Sequence, residues 1–348
     1  MDEKRKKRLI WQLPFLVLLI VGTVLIIRQQ QNTPYRHESG FAFGTTYNIT
    51  YQYDEDLKAD IEYKLGQVDN ALSMFNEKSV VSRINMGDGL IPNDTIGQMF
   101  LDVYKLAIEI AQETQGAFDP TVAPLVNAWG FGFKNGDMPT KEQVDSLRQF
   151  VGFRLVNLWQ KDGKQGIRKA DSRVMLDCSA IAKGYGTDVV AQMMKEKGVQ
   201  NYMVEIGGEV VTRGISEKRL PWKIGVTKPT DDSLHIGNEL QTVLNITDKA
   251  MATSGNYRNF YYKGGRKYAH TIDPKTGYPV QHNILSATVL CDRCAVADAY
   301  ATAFMVMGLE GATKILQQHP DLMAYLIYDD HGQNKVWFSP SLEDKIEK

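Results

Sequence analysis

Three short stretches of this 348-residue chain carry side chains that could do chemistry together. In Tyr268-Ala-His270-Thr-Ile-Asp273-Pro-Lys-Thr-Gly277, a histidine precedes an Asp-Pro-x-x-Gly turn signal. A group able to take a proton near neutral pH is thereby held beside a stiffened loop, which is how a general base is mounted. In Ala297-Asp298-Ala-Tyr-Ala-Thr302, a carboxylate and a hydroxyl stand four apart in the run Ala295 to Met307, whose alanines and long apolar residues favour helix. Two hard oxygens on one face suit Mg²⁺. In Asp177-Cys-Ser-Ala180-Ile-Ala-Lys183-Gly184-Tyr-Gly186-Thr-Asp188, small residues mark a strand-to-helix junction. Free N–H groups there, with the Lys183 ammonium, suit an anion such as a phosphate. The glycine spacing is not that of a P-loop. Each stretch also has a plain reading: a satisfied structural histidine, a solvated or capping Asp/Thr pair, an ordinary helix start.

The cysteines offer a competing chemistry. Cys178, Cys291 and Cys294 are the only three, too few for a disulfide framework, but Cys291-Asp-Arg-Cys294 has redox-motif spacing just before a helix. The formal charge of −1 is unevenly spread. Residues 1 to 28 hold six Lys/Arg against Asp2 and Glu3, leaving the rest at −5, with no basic run to suit nucleic acid.

The amino terminus reads as an anchor. A basic tail, 1–8, precedes Leu9 to Ile27, nineteen residues without a charge and about the length that crosses a bilayer. The positive-inside rule then expects the tail in the cytoplasm and the body, 40–340, on the far side of a bacterial inner membrane, its periplasmic face. Ile26-Ile27-Arg28 lacks a small-x-small cleavage site, which favours an uncleaved helix over a signal peptide. Residues 28–39 read as a polar linker.

The elements that must position the three stretches follow in order. Phe41 to Tyr51 reads as a strand with a glycine break, Ile61 to Phe75 and Ile96 to Thr114 as amphipathic helices, and Ser79 to Asn85 as a polar turn. Gly116 to Gly132 holds too many Gly, Pro and aromatic residues for a regular element, and reads as a loop pinned on a core or a planar ligand. Lys141 to Phe150 reads as helix, Val156 to Lys169 as a hairpin through Asp162-Gly163, and Arg173 to Asp177 as a strand. Val199 to Thr212 reads as a strand whose double glycine suggests a bulge or a close approach. Trp222 to Thr227, Leu240 to Ile246 and Asn259 to Tyr262 are further strands, with a turn at Gly264-Gly265. Gly308 should close one helix before another over Ala312 to His319, and a last hairpin pairs Ala324 to Tyr328 with Lys335 to Phe338.

Set in order, these blocks resemble the FAD:protein FMN transferases, the ApbE-like family. The resemblance is carried by Phe43-Gly-Thr45, Ser82-Arg-Ile-Asn85, Gly116-Ala-Phe-Asp119-Pro-Thr, Asp177-x-x-Ala180-x-Ala-Lys183-Gly184, Glu205-Ile-Gly-Gly-Glu209, Thr253-Ser-Gly-Asn-Tyr257, His270-x-x-Asp273-Pro-x-x-Gly277 and Ala297-Asp298-x-x-x-Thr302. It implies an α+β fold of two related α/β subdomains enclosing a flavin nucleotide, here preceded by one transmembrane helix. It further implies that Phe43, Phe75, Ala117, Phe118, Asp119, Asp177, Lys183 and Ile272 surround the flavin nucleotide. Asp298, Thr302 and the backbone carbonyl of Ala180 would hold Mg²⁺, and His270 would be the base. Phe43 stands where the family usually has Met, and Cys178-Ser179 where it commonly has Leu-Gly, departures that bear on flavin packing and loop shape.

The reaction so implied is Mg²⁺-dependent transfer of the FMN part of FAD to a threonine hydroxyl of an acceptor flavoprotein, releasing AMP. Exported flavin-acceptor subunits of membrane redox complexes of the Rnf/Nqr kind are the expected partners. Water in place of the hydroxyl would make the same site an FAD pyrophosphatase. A flavin-binding protein without turnover, or a thiol redox protein using Cys291 and Cys294, are the readings from other classes.

Overall fold

The computed structural model describes residues 3–132, 138–229, 240–256, 260–263 and 266–347. A long helix, α1 (Glu3–Asn32), leads into the hairpin β1 (Tyr35–Ala42) and β2 (Thr45–Gln52). Its turn is Phe43-Gly44, both at positive φ (53° and 75°), the geometry that a two-residue hairpin loop requires. Then come α2 (Lys58–Leu72), α3 (Val80–Met86), the short β3 (Leu90–Ile91) and α4 (Thr95–Glu113). The start of α4 is set by Asp94, whose side chain accepts from Gly97 N–H at 2.9 Å. Its buried stripe Phe100, Val103, Tyr104, Ala107, Ile110 and Ala111 recurs at helical spacing, and each large member contributes roughly 1.5–3 kcal/mol by leaving water.

The chain continues through α5 (Ala123–Ala128), α6 (Lys141–Leu147), the hairpin β4 (Val156–Lys161) and β5 (Lys164–Lys169), and α7 (Ala182–Glu196). A second hairpin, β6 (Tyr202–Ile206) and β7 (Glu209–Arg213), is followed by β8 (Trp222–Thr227), β9 (Leu240–Ile246) and β10 (Ala250–Gly255). The remainder is β11 (Phe260–Lys263), β12 (Arg266–Ala269), β13 (Ile284–Cys291), α8 (Cys294–Gln318), β14 (Met323–Asp330) and β15 (Gln333–Phe338).

One eight-stranded sheet, β1-β2-β6-β7-β10-β13-β14-β15, organises the body, and every strand pairing among the described residues is antiparallel. Side chains alternate across it with the period of two that strands impose. On β10 and β13, Ala252 and Val289 face the core shared with α4 and α8, while Met251 and Leu290 face the core closed by the β8–β9 hairpin. At the β1–β2 end, α2 and α7 pack Ile61, Leu65, Val190 and Met194 on Tyr47, Ile49 and Val204. Helices on one face and an antiparallel sheet give the expected α+β class.

Several expectations are corrected. Ser79 to Asn85 is not a polar turn but α3, because Ser79 caps it by accepting from Ser82 N–H at 3.0 Å. Val199 to Thr212 is two strands, since Gly207 and Gly208 (φ 62° and 103°) reverse the chain between them. Likewise the single strand expected over 41–51 is the hairpin β1–β2. Arg173 to Asp177 is in no sheet; Asn85 takes the place of a neighbouring strand, receiving Leu176 N–H at 2.7 Å and donating to Leu176 O at 2.9 Å. Within the supposed linker 28–39, α1 runs to Asn32 and β1 begins at Tyr35. The helix expected over 9–27 lies within α1, and Leu13 and Phe15 to Val21 are exposed on it. Among the described residues no helix is long and apolar enough to cross a membrane. The expected turn at Gly264-Gly265 lies outside the described residues, as does Tyr257 of the Thr253 block.

Candidate functional site

A cavity of about 410 Å³, within the usual range for small-molecule sites, opens between the carboxyl end of β10, the amino-terminal turns of α7 and α8, and the loops after α4 and β12. Phe75, Ala117, Phe118, Asp119, Asp177, Ala180, Lys183, His270, Ile272, Asp298 and Thr302 all line it. Phe43 does not. Its ring lies over Gly186 of α7, where an added Cβ would stand 2.5 Å from it, so this residue of the β1–β2 turn packs the helix that carries Lys183.

The apolar wall is built by the Gly116 to Gly132 segment, which is pinned as its composition suggests. Leu125 and Trp129 are buried with Val144 and Ile272, and Phe131 packs on the same cluster. Trp129 stacks on Tyr268 at 5.8 Å and donates its indole N–H to Gly277 O at 2.8 Å. That bond ties the loop to the turn Asp273 to Gly277, where Gly277 N–H donates to Asp273 O at 2.8 Å and Gly277 takes φ 81°. His270 enters the cavity just ahead of this turn, with Phe131 edge-on at 6.4 Å and 70°. Phe75 sits at the cavity with 70% of its surface exposed, an apolar residue at a mouth.

Asp119 is committed to shaping the wall. One carboxylate oxygen accepts from Thr121 N–H at 2.8 Å and Thr121 Oγ1 at 2.6 Å, and the other from Phe153 N–H at 2.8 Å. Burial raises its pKa against those bonds. Asp177 holds the next loop by accepting from Ser179 N–H at 2.7 Å, while its own N–H donates to Pro120 O at 2.7 Å.

The polar end of the cavity is a chain of charges. Lys183 Nζ donates to Glu209 Oε1 at 2.8 Å and lies 3.9 Å from Asp298 Oδ1. Burial opposes the charge on Lys183, but the carboxylates of Asp298 and Glu209 outweigh it, and the ammonium holds its proton more firmly than a free lysine. Burial raises Glu209, with Lys183 pulling the other way. The second oxygen of Glu209 is buried without a hydrogen-bond partner. Thr302 Oγ1 is 3.2 Å from Ser254 Oγ, which also lines the cavity.

The oxygens suit a hard divalent cation. Gly184 N–H, one of the first-turn amides of α7 that have no partner within their own helix, donates to Asp298 Oδ2 at 3.0 Å. Ala180, in the turn that leads into α7, lines the same cavity as Asp298 and Thr302. Carboxylate, hydroxyl and carbonyl oxygens are the donors that Mg²⁺ takes, and a buried carboxylate oxygen without a partner adds negative potential beside them. No group of three His, Cys, Asp or Glu arranged for a metal occurs among the described residues, so the set depends on hydroxyl and backbone oxygens.

The thiols do not support redox chemistry. Cys291 and Cys294 are free and buried, and burial pushes Cys291 up to about 12 and Cys294 well above an ordinary thiol. Exchange requires exposed thiolate, which these sites suppress. Glu209 and Ser254 also line the cavity, although sequence pattern alone assigns neither side chain a role. The signal for Glu209 was the Gly207-Gly208 turn, because a two-residue loop fixes Glu209 opposite Ile206 and at the cavity.

Comparison with known proteins agrees with this geometry. A model of the ApbE family matches residues 43–327. The FAD:protein FMN transferase of Haemophilus influenzae is 36% identical over 325 residues, covering 91% of this chain and 93% of its own. That of Escherichia coli K12 is 33% identical over 290 residues, covering 83% and 81%. The solved structure of the flavin transferase ApbE from Vibrio cholerae superposes with a TM-score of 0.78 at 34% identity, covering 90% of this chain and 99% of its own. The ApbE protein of Thermotoga maritima gives 0.77 at 27% identity, covering 90% and 100%. With its match running through every block that lines the cavity, this chain belongs to the ApbE family.

Proposed function

We propose that this chain moves the FMN part of FAD onto a threonine hydroxyl of an acceptor flavoprotein, releasing AMP. The observation that carries the reading is the cavity itself, which brings His270, Lys183, Asp298 and Thr302 to one space with an apolar wall opposite. The relatives that match over most of the chain are FAD:protein FMN transferases, and supply the substrate. Asp298, Thr302 and the Ala180 carbonyl would hold Mg²⁺, which when bound neutralises charge on the diphosphate. Lys183 adds a fixed positive charge at the same end. Phe75, Phe118 and Ile272 give the isoalloxazine an apolar seat.

The transfer balances without a redox partner. The threonine oxygen attacks the phosphorus on the riboflavin side, its proton passes to His270, and the bond from that phosphorus to the bridging oxygen breaks, with AMP leaving on that oxygen. His270 is the catalytic base in this reading, because a threonine hydroxyl is too weak an acid to ionise unaided.

The test is incubation of the protein with FAD, Mg²⁺ and an exported acceptor domain, followed by fluorescence and mass measurement of the acceptor. An FMN added to one threonine is expected, and a roughly 10²- to 10⁴-fold slower reaction for His270→Ala. An acceptor left without covalent flavin sinks the reading, and AMP released equally fast without acceptor converts it to a pyrophosphatase.

The same proposal places α1 in a bacterial inner membrane with the body on the periplasmic side, where acceptor subunits of Rnf/Nqr-like complexes would be met. Its support is the exposed apolar run Leu13, Phe15 to Val21 and Val24 to Ile26, preceded in sequence by Lys4 to Arg8. Release of the body by alkaline carbonate, or its protection from protease in spheroplasts, would overturn that placement.

A further inference from the structure

Helices α7 and α8 cap each other. Neither has a side-chain cap of its own, since Ile181 and Arg293, the residues at their cap positions, supply none. Instead Asp188, on the second turn of α7, accepts from Cys294 N–H at 2.7 Å and Ala295 N–H at 2.9 Å, one bond to each carboxylate oxygen. In the other direction, Asp298 of α8 accepts from Gly184 N–H of α7 at 3.0 Å. The two carboxylates cross between the same pair of helix ends, and the helices are in contact there. A Cβ on Gly184 would stand 2.4 Å from Cys294 O and 2.8 Å from Asp298 Cβ.

This crossing fixes the direction of Asp298. With Oδ2 occupied by Gly184 N–H, Oδ1 is the oxygen on the Lys183 side, 3.9 Å from its ammonium. Both bonds of Asp188 fall on the first turn of α8, and Asp298 and Thr302 follow one and two turns later on that helix. A small rotation or slide of α8 against α7 would therefore move both oxygens relative to the Ala180 carbonyl and Lys183, which belong to α7 and the turn leading into it.

We propose that Asp188 is a positioning residue for the cation site: by holding the first turn of α8 against α7 it sets where Asp298 and Thr302 present their oxygens. The inference rests on the reading of those oxygens as Mg²⁺ ligands. Supporting groups behind metal ligands typically change affinity 10- to 100-fold when removed, and that is the effect expected here.

The experiment is calorimetric titration of Mg²⁺ into the full chain without FAD, together with the Mg²⁺ concentration giving half-maximal transfer. Wild type, Asp188→Ala, Asp188→Asn and Asp94→Ala are compared. Asp94 caps α4, is not among the cavity residues, and controls for loss of a helix cap as such. Asp188→Ala is expected to weaken Mg²⁺ binding and raise the half-maximal concentration 10- to 100-fold. Asp188→Asn, which keeps one acceptor oxygen, should do so by less and carries the test if the alanine variant does not fold, while Asp94→Ala should lower thermal stability and leave Mg²⁺ affinity unchanged. Wild-type affinity in both Asp188 variants, or an equal shift in Asp94→Ala, overturns the positioning role alone. A wild type that neither binds Mg²⁺ nor responds to it overturns the metal reading, and this inference with it.

Discussion

Lys183 Nζ stands 2.8 Å from Glu209 Oε1 and 3.9 Å from Asp298 Oδ1, so a single ammonium is shared between two carboxylates at the polar end of the cavity. The three side chains come from α7, β7 and α8, and their charges are held together only by the packing of those elements. A cation entering at Asp298 would compete with Lys183 for that carboxylate, leaving the ammonium with Glu209 and with the diphosphate.

Lys183→Met should therefore destabilise the fold as well as stop transfer. Removing one partner of a buried ion pair costs about 3–5 kcal/mol, because the remaining charge has neither water nor a counter-ion. Lys183 is 29% exposed, which puts the expected loss at the lower end, about 3 kcal/mol. Adding Glu209→Gln removes the stranded charge and should recover part of the stability but none of the activity. Urea denaturation of the two variants checks this, and equal midpoints for single and double variants would show that the pair carries no coupling.

Asp298→Ala should abolish the response to Mg²⁺, whereas Thr302→Ala should weaken it, since a neutral hydroxyl contributes less than a carboxylate to a hard cation. The alanine at 298 also frees Gly184 N–H, so a drop in thermal stability should accompany the first variant and not the second. Titration calorimetry decides the matter; unchanged Mg²⁺ binding in both variants would refute the assignment of these oxygens.

Much of this arrangement was legible in the sequence, where the relevant signals were local. Helix α4, the hairpin through Asp162-Gly163 (φ 51° and 72°) and the last hairpin all follow from short-range spacing and turn chemistry. His270, Asp298, Thr302 and Lys183 were recognisable because each lies in a compact block. What was missed depends on contacts between distant parts of the chain. β10 and β13 lie in the middle of the sheet, so both faces of Met251-Ala252 and Val289-Leu290 are buried and no apolar–polar alternation marks them. Phe43 was expected at the flavin, and its ring lies over Gly186 of α7 rather than among the cavity residues, a contact between distant parts of the chain. The role of Asp188 is set by a bond to a residue 106 positions away, which no local pattern encodes.

Gly308→Ala should strain the existing break between the two halves of α8. Gly308 has φ 73° and ψ 176°, a conformation that residues with a side chain scarcely adopt, and it lies where the sequence suggested a break between two helices. His282 lies beside it, its ring 3.6 Å from where a Cβ would be, with Nε2 3.2 Å from Val306 O. The strain corresponds to about 1–3 kcal/mol. Thermal denaturation should show that loss with Mg²⁺ affinity retained, since Asp298 and Thr302 precede the break; a variant as stable as wild type would mean that α8 can run straight through.

Asp188 also gives the stability a specific pH dependence. Burial raises its carboxyl to about 6, against the two N–H bonds and Arg293, which favour the charged form, while Asp298 opposes it. Lys195, Lys249, Arg213, Asp248 and Asp292 line the same surface depression and set its wider field. The folded pKa lies above that of an unfolded aspartate, about 3.9. Between those values the native state binds more protons than the unfolded one, and stability contributed by this group is present below about pH 4 and lost as pH rises through 6. Asp188→Asn has no such titration. The stability of wild type relative to Asp188→Asn should therefore fall between pH 4 and pH 7, and urea midpoints of both proteins across that range measure it. Parallel curves, or a relative stability that rises with pH, would mean that the helix-end amides hold this carboxylate charged throughout and that its burial is not the governing effect.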